Sequence, residues 1–229
     1  MNQTKLITPR NFFLQLAAAA AFYISAVSFI ALLFQYTDAL FPDQLQYYYN
    51  AYSAGIRWAI AALVVIFPTF IFLQRTINND LEKEPEEAAG LRKWLTYLTL
   101  FVAGITIVVD LISVINLFLG GEITTRFILK ALVVMAVALA AFGYYLADLR
   151  GYWLRNRNSS KTVGWAALVV VIVSIVSGFF IIGSPITQRA MRFDQERVNA
   201  LSNIQWQLVS FWQSKEKLPE SLDELNDPL

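Results

Sequence analysis

The 229 residues are 57% hydrophobic and 15% charged, with a mean hydropathy of +0.50 and a net charge of +1. Soluble domains carry about 45–50% apolar and about 25% charged residues, so the balance points to a membrane protein and gives no basis for a nucleic-acid partner. The chain has neither Cys nor His. That excludes disulfides, thiolate and imidazole ligands for metal or haem, cysteine nucleophiles and the usual general base.

Residues 1–10 are short, polar and basic through Lys5 and Arg10, and the apolar run from Phe12 to Phe34 holds no charge. It is longer than the apolar core of a signal peptide and long enough to cross a bilayer, so it is read as an uncleaved first span over about 12–34. Ala18, Ala21, Ser25, Ser28 and Leu32 recur every three or four residues. That small-residue seam lets another helix approach closely. The link at 35–56, with Asp38, Asp43, Tyr47-Tyr48-Tyr49 and Tyr52, reads as interfacial, since Tyr favours the headgroup zone.

The second span covers about 55–73, with Arg57 just inside one end and Pro68 predicting a kink. Arg57 either snorkels to the headgroups or pairs with a buried acid. Residues 74–93 carry charges of both signs and read as a solvated loop with a helical turn opening at Pro85. The third span covers about 94–119, then Gly120-Gly121-Glu122 makes a tight turn into a fourth span over about 125–147. On the third span Thr99, Thr106 and Ser113 form a polar seam that shares a face with Asp110. On the fourth span Arg126 and Lys130 lie along one stripe.

Asp110 is the residue that matters most in this reading. An ionisable group inside a span marks a candidate functional site, because leaving its charge unpaired costs about 2.5–3.5 kcal/mol on insertion scales. Counting about 1.5 Å per residue from the turn puts Asp110 and Lys130 within reach of each other. The intramembrane charge cluster is therefore Asp110, Lys130, Arg57 and Arg126, with Asp110–Lys130 the first pair expected and Asp110–Arg57 the second. Such a pair either fixes helix register or titrates.

Residues 148–161 are basic, with Arg150, Arg155, Arg157 and Lys161, and carry Tyr152-Trp153. A fifth, uncharged span covers about 162–184, with Gly164, Ala167, Val171, Ser174 and Gly178 as a second small-residue seam. With the N-terminus inside, Lys5, Arg10, Arg75, Lys83, Arg92, Lys93, Arg150, Arg155, Arg157 and Lys161 all fall on the cytoplasmic side. That obeys the positive-inside rule and places residues 185–229 outside. In that tail Val198, Leu201, Ile204, Leu208, Phe211 and Trp212 recur at helical spacing, and Ser221-Leu222-Asp223-Glu224 after Pro219 reads as a capping box. Its abrupt end at Asn226-Asp227-Pro228-Leu229 reads as a truncation.

The fold class expected is an all-α polytopic membrane bundle of about five helices. Residues 1–161 form a four-helix unit, 162–184 a fifth helix and 185–229 an outward-facing helical tail. Several phrases between Asn11 and Arg150 resemble an uncharacterised bacterial four-helix membrane family. They are Ile56-Arg57-Trp58-Ala59-Ile60-Ala61, the run Arg92 to Phe101, Asp110-Leu111-Ile112, the run Gly120 to Lys130 and the run Tyr144 to Arg150. The resemblance implies a membrane helix bundle and no activity. In the tail, Leu218-Pro219-Glu220-Ser221-Leu222-Asp223-Glu224-Leu225 is weakly similar to the outer part of type II secretion and type IV pseudopilins. The acid that such proteins carry early in their membrane helix is missing from Lys161 to Val170.

These features favour a non-enzymatic envelope scaffold of the bacterial inner membrane, with no cofactor and no metal. Its partners are the lipid bilayer and, through residues 185–229, a second copy or an envelope protein. The alternative is a small transporter or ion/proton pathway using Asp110 with Lys130 or Arg57. A membrane enzyme ranks last, because Asp43, Asp110, Glu122 and Asp148 fall at different depths and make no catalytic pair.

Overall fold

The computed structural model describes residues 8–41, 52–83, 85–121, 124–182 and 185–225. Among them the chain forms α1 (Pro9–Leu40), α2 (Tyr52–Lys83), α3 (Pro85–Gly120), α4 (Thr125–Leu149), α5 (Tyr152–Arg155), α6 (Arg157–Ile182) and α7 (Pro185–Lys215), then a 3-10 turn at Leu222–Leu225. Five of these helices are long and apolar enough to cross a membrane: Pro9–Leu40, Gly55–Asn79, Gly90–Gly120, Thr125–Leu149 and Asn158–Ile181. The protein is an all-helical multi-pass membrane protein. Helices suit that solvent because every backbone N–H and C=O is satisfied within the segment.

The described residues divide into two compact units, one ending at Ile182 and one following it. All five spans lie in the first unit, and α7 lies in the second. The link at 74–93 differs from expectation. Helix α2 runs on to Lys83 and α3 opens at Pro85. The Glu- and Lys-rich composition of this stretch supports helix, and a proline at the first helical position costs nothing because its N–H would have no partner there. The α-helix continues past Pro68.

Within the first unit α1 is the central helix, touching α2, α3, α4 and α6. Its buried stripe is Gln15, Ala18, Ala21, Ser25, Leu32, Tyr36, Thr37 and Asp38. The small residues Ala18, Ala21 and Ser25 along it allow close approach of a neighbouring helix. The tightest packing joins α1, α2 and α6, where Leu32, Ile56 and Leu63 are fully buried beside Tyr36, Ala59 and Val171. At this junction a Cβ on Gly178 would lie 2.5 Å from Ile60 Cδ1 and 2.9 Å from Tyr36 Oη. Any side chain there would require Ile60 and Tyr36 to shift. The α6 seam is engaged through Val171, Ser174 and Gly178, whereas Gly164 and Ala167 are exposed. Tyr36 completes the contact by donating its hydroxyl proton to the carbonyl of Ser174.

The α3–α4 turn depends on Gly121, whose φ of +70° lies in the left-handed region. Its N–H reaches the carbonyl of Phe118 at 3.2 Å. Thr124 caps α4, its hydroxyl accepting from the Phe127 N–H at 3.2 Å. At the other end of α4, Gly151 adopts φ +69° and turns the chain into α5. There the Trp153 indole donates to the Tyr144 carbonyl at 2.9 Å and stacks on the Tyr144 ring.

The second unit is α7 followed by the 3-10 turn. Phe211 is buried and Ile204, Leu208 and Leu225 are half-buried where the two elements meet. The capping-box phrase gives one 3-10 turn, with Glu224 Oε2 accepting from the Glu220 N–H at 3.4 Å. Trp206 and Trp212 are exposed.

Candidate functional site

The polar groups of the first unit gather at the two ends of α4. At its N-terminal end, which we term the far end, one carboxylate on α1 receives two cations from α4. Arg126 Nη2 lies 2.7 Å from Asp38 Oδ1, and Lys130 Nζ lies 2.7 Å from Oδ1 and 2.9 Å from Oδ2. Arg126 and Lys130 are one helical turn apart and share a face, which is why one acid can take both. The Asp38 side chain is only 12% exposed. Lys130 Nζ also sits 5.4 Å from the centre of the Phe34 ring, on the α1 side of α4.

At the opposite, near end, Asp148 on α4 accepts from Arg92 on α3 through both carboxylate oxygens, at 2.8 and 3.3 Å. This forked geometry is the one in which an arginine recognises a carboxylate best. Lys130 and Asp148 are eighteen residues apart, five full turns or about 27 Å of helix. The hydrocarbon core of a bilayer is about 30 Å thick. The two ion clusters thus stand near its two faces, where ionised side chains are least costly. Exposed tryptophans mark the same levels: Trp58 lies near the far-end start of the apolar span in α2, and Trp94 and Trp165 lie near the near-end starts of the spans in α3 and α6.

Beside the near-end pair lies a pocket of about 60 Å³, lined by residues of all of α1 to α4 that include Gln15, Gln74, Arg92, Thr96, Tyr144 and Asp148. A water molecule occupies about 30 Å³ of liquid, so this pocket holds about two waters or one small ion. No group of three or more His, Cys, Asp or Glu that could hold a metal occurs among the described residues.

Each candidate residue from the sequence can now be placed. Arg126 and Lys130 do meet an acid, but it is Asp38. The expected pair Asp110–Lys130 is not formed, because α1 stays helical past Phe34 to Leu40 and carries Asp38 onto the α1-facing side of α4. Asp110 Oδ2 is enclosed and meets no hydrogen-bond donor among the described residues, which also rules out the second expected bond, from Arg57 to that oxygen. Arg57 is exposed near the start of α2.

In the polar seam only Thr99 reaches another helix, accepting from Tyr23 Oη at 3.0 Å while donating to its own Leu95 carbonyl. Thr106 and Ser113 bond back to the carbonyls of Val102 and Val109, the ordinary way a hydroxyl is satisfied in a membrane helix. Asp43, the tyrosines at 47–49 and Glu122 lie outside the described residues.

Sequence reasoning missed Asp38, which it left in a link after the apolar run. The available signal was the absence of any Gly or Pro between Phe34 and Pro42, which lets the helix run on until the residue before the proline. It also drew no link between Asp148 and Arg92.

Comparison with known proteins yields one family. A family model described as "Domain of unknown function (DUF5671)" matches residues 11–145, so it spans α1 to α4 and both far-end cations but stops short of Asp148, α6 and the tail. No curated protein and no solved structure matches the chain. With more than half of its length under that model, the chain belongs to the DUF5671 family, a domain family of unknown function.

Proposed function

We propose that this protein is a non-enzymatic scaffold of a bacterial cytoplasmic membrane, its N-terminus in the cytoplasm and its 185–229 tail on the opposite side. On this reading the tail binds a second copy of the chain or an envelope protein. The observation that carries the reading is how the bundle spends its polar groups. Asp38 takes Arg126 and Lys130, Asp148 takes Arg92, and Tyr23 takes Thr99. Groups engaged in tying helices together hold geometry, which is what a platform requires. The near-end pocket is too small for an organic substrate. The lack of His and Cys in the sequence argues the same way.

The orientation rests on the ten Lys and Arg residues that fall on one side when the five spans are threaded through a bilayer. The partner surface rests on α7, where Leu201, Trp206 and Trp212 are exposed. Exposed tryptophan on a soluble face is a frequent anchor of protein interfaces.

The test is native mass spectrometry of the full chain extracted in mild detergent. The reading predicts a stoichiometric homo-oligomer or partner complex that is lost in Trp206→Ser/Trp212→Ser. A clean monomer, or a complex indifferent to that double change, contradicts it.

A further inference from the structure

Asp110, the acid of the expected charge cluster, takes no part in the far-end contacts among Asp38, Arg126 and Lys130. Its Oδ2 is enclosed without a donor among the described residues, inside a span where about 15 Å of apolar helix still separates it from Gly120. At the level of Lys130 it lies towards the far face, but an enclosed carboxylate oxygen there still lacks the hydration a charge needs unless a cation stands beside it.

The helices themselves show which cation that is. Asp110 stands eighteen residues from Arg92 on α3, and Lys130 stands eighteen residues from Asp148 on α4. Eighteen residues are five full turns, so Asp110 lies on the face of Arg92 and Lys130 on the face of Asp148, each about 27 Å along its own helix and so at one common level. Arg92 and Asp148 touch at 2.8 Å. Two antiparallel neighbours thus carry the same contact geometry twice, with the charges exchanged between helices. In the structure Lys130 is held by Asp38 on α1 instead.

We propose that Asp110 is a proton-binding site within the membrane, filled while Lys130 is held by Asp38 and emptied when Lys130 crosses to Asp110. In the filled state Asp110 is a neutral carboxylic acid. On emptying, its O–H proton leaves to solvent and the Lys130 ammonium takes its place beside the carboxylate. Asp38 is not stranded by that move, because Arg126 remains 2.7 Å from its Oδ1. The four groups carry two acids and two bases, so the emptied state is neutral and the filled state has one net positive charge.

The charged and titratable groups that face this region from the helices packed on α3 are few. Helix α4 presents Lys130 and Arg126, and α1 presents Asp38 and Tyr36, the latter committed to the Ser174 carbonyl. Helix α2 presents Arg57, which is exposed. On α3 itself the neighbours on Asp110's face are Thr106 and Ser113, both bonded within the helix.

Infrared spectroscopy of the full chain in lipid nanodiscs reads the proton directly, through the carbonyl stretch of a protonated carboxyl group. The expected result is a band in the wild type at neutral pH that Asp110→Asn abolishes. Asp38→Asn should also abolish it, by releasing Lys130 to Asp110, and Asp38→Asn/Lys130→Met should restore it. The single change Lys130→Met keeps the Asp38–Arg126 pair and should make the band persist to higher pH than in the wild type. A wild type with no band sensitive to Asp110→Asn overturns the proton site. A Lys130→Met protein that titrates like the wild type overturns the exchange, whether or not Asp38→Asn folds.

Discussion

Lys130 and Asp38 are 92 residues apart in the chain and 2.7 Å apart in the fold. Through that contact the last turn of α1 is tied to the first turns of α4. The Arg92–Asp148 pair ties the other end of the same helix to α3. Helix α4 is therefore held at both faces of the bundle by ions and along its length by packing. In a bilayer, where lipid is as apolar as the helices, such specific contacts decide which helices associate.

The near-end tie is partly open to solvent, with side-chain exposures of 27% for Arg92 and 12% for Asp148. A double-mutant cycle with Arg92→Ala and Asp148→Ala, read by unfolding in detergent, should give a coupling of about 0.5–1 kcal/mol. It should shrink as salt is raised, since exposed charges are screened. A coupling near zero at low salt would show that the pair adds nothing.

Glycine at 178 is required by space. Adding a methyl group there meets Ile60 Cδ1 at 2.5 Å and Tyr36 Oη at 2.9 Å, so those side-chain ends must shift. Gly178→Ala should cost about 1–3 kcal/mol, the usual range for overpacking. Gly164→Ala, whose Cβ would meet nothing within 4 Å, should be neutral or mildly stabilising. The chain has no Cys, so engineered cysteine pairs between α2 and α6 give a clean cross-linking readout of the loosened contact.

At the α3–α4 turn two adjacent glycines differ in kind. A Cβ at Gly120 or Gly121 would meet nothing within 4 Å, but only Gly121 has a positive φ. Gly121→Ala should cost about 1–2 kcal/mol for the left-handed conformation, and Gly120→Ala about nothing. Thermal unfolding of the two variants side by side checks this. Equal effects would mean that the turn relaxes to another conformation.

Much of this architecture was legible in the sequence. The five spans follow from apolar runs long enough for the bilayer, and the small-residue seam of α1 is its packing face. The charge site was only half legible. Residue counting placed Asp110 and Lys130 at one level, and the five-turn repeat with Arg92 and Asp148 supports that. Which of two carboxylates Lys130 chooses depends on the rotation and contact of α1, a third helix far away in the chain. Helical spacing within α3 and α4 carries no information about that. The same holds for α6, whose seam was visible throughout but is engaged only from Val171 to Gly178 because α1 and α2 meet it there.

The choice of acid is the central claim, and paired double-mutant cycles test it. Lys130→Ala is combined with Asp38→Ala in one cycle and with Asp110→Ala in the other, and both are read by unfolding in the same detergent. The Asp38–Lys130 coupling should be about 1–2 kcal/mol, discounted from the 3–5 kcal/mol of a fully buried pair because Lys130 is 30% exposed and Arg126 shares the acid. At a pH where Asp110 is protonated, the Asp110–Lys130 coupling should stay within about 0.5 kcal/mol, the spread expected of sites that do not interact. Strong coupling of Lys130 to Asp110, with none to Asp38, would contradict the account.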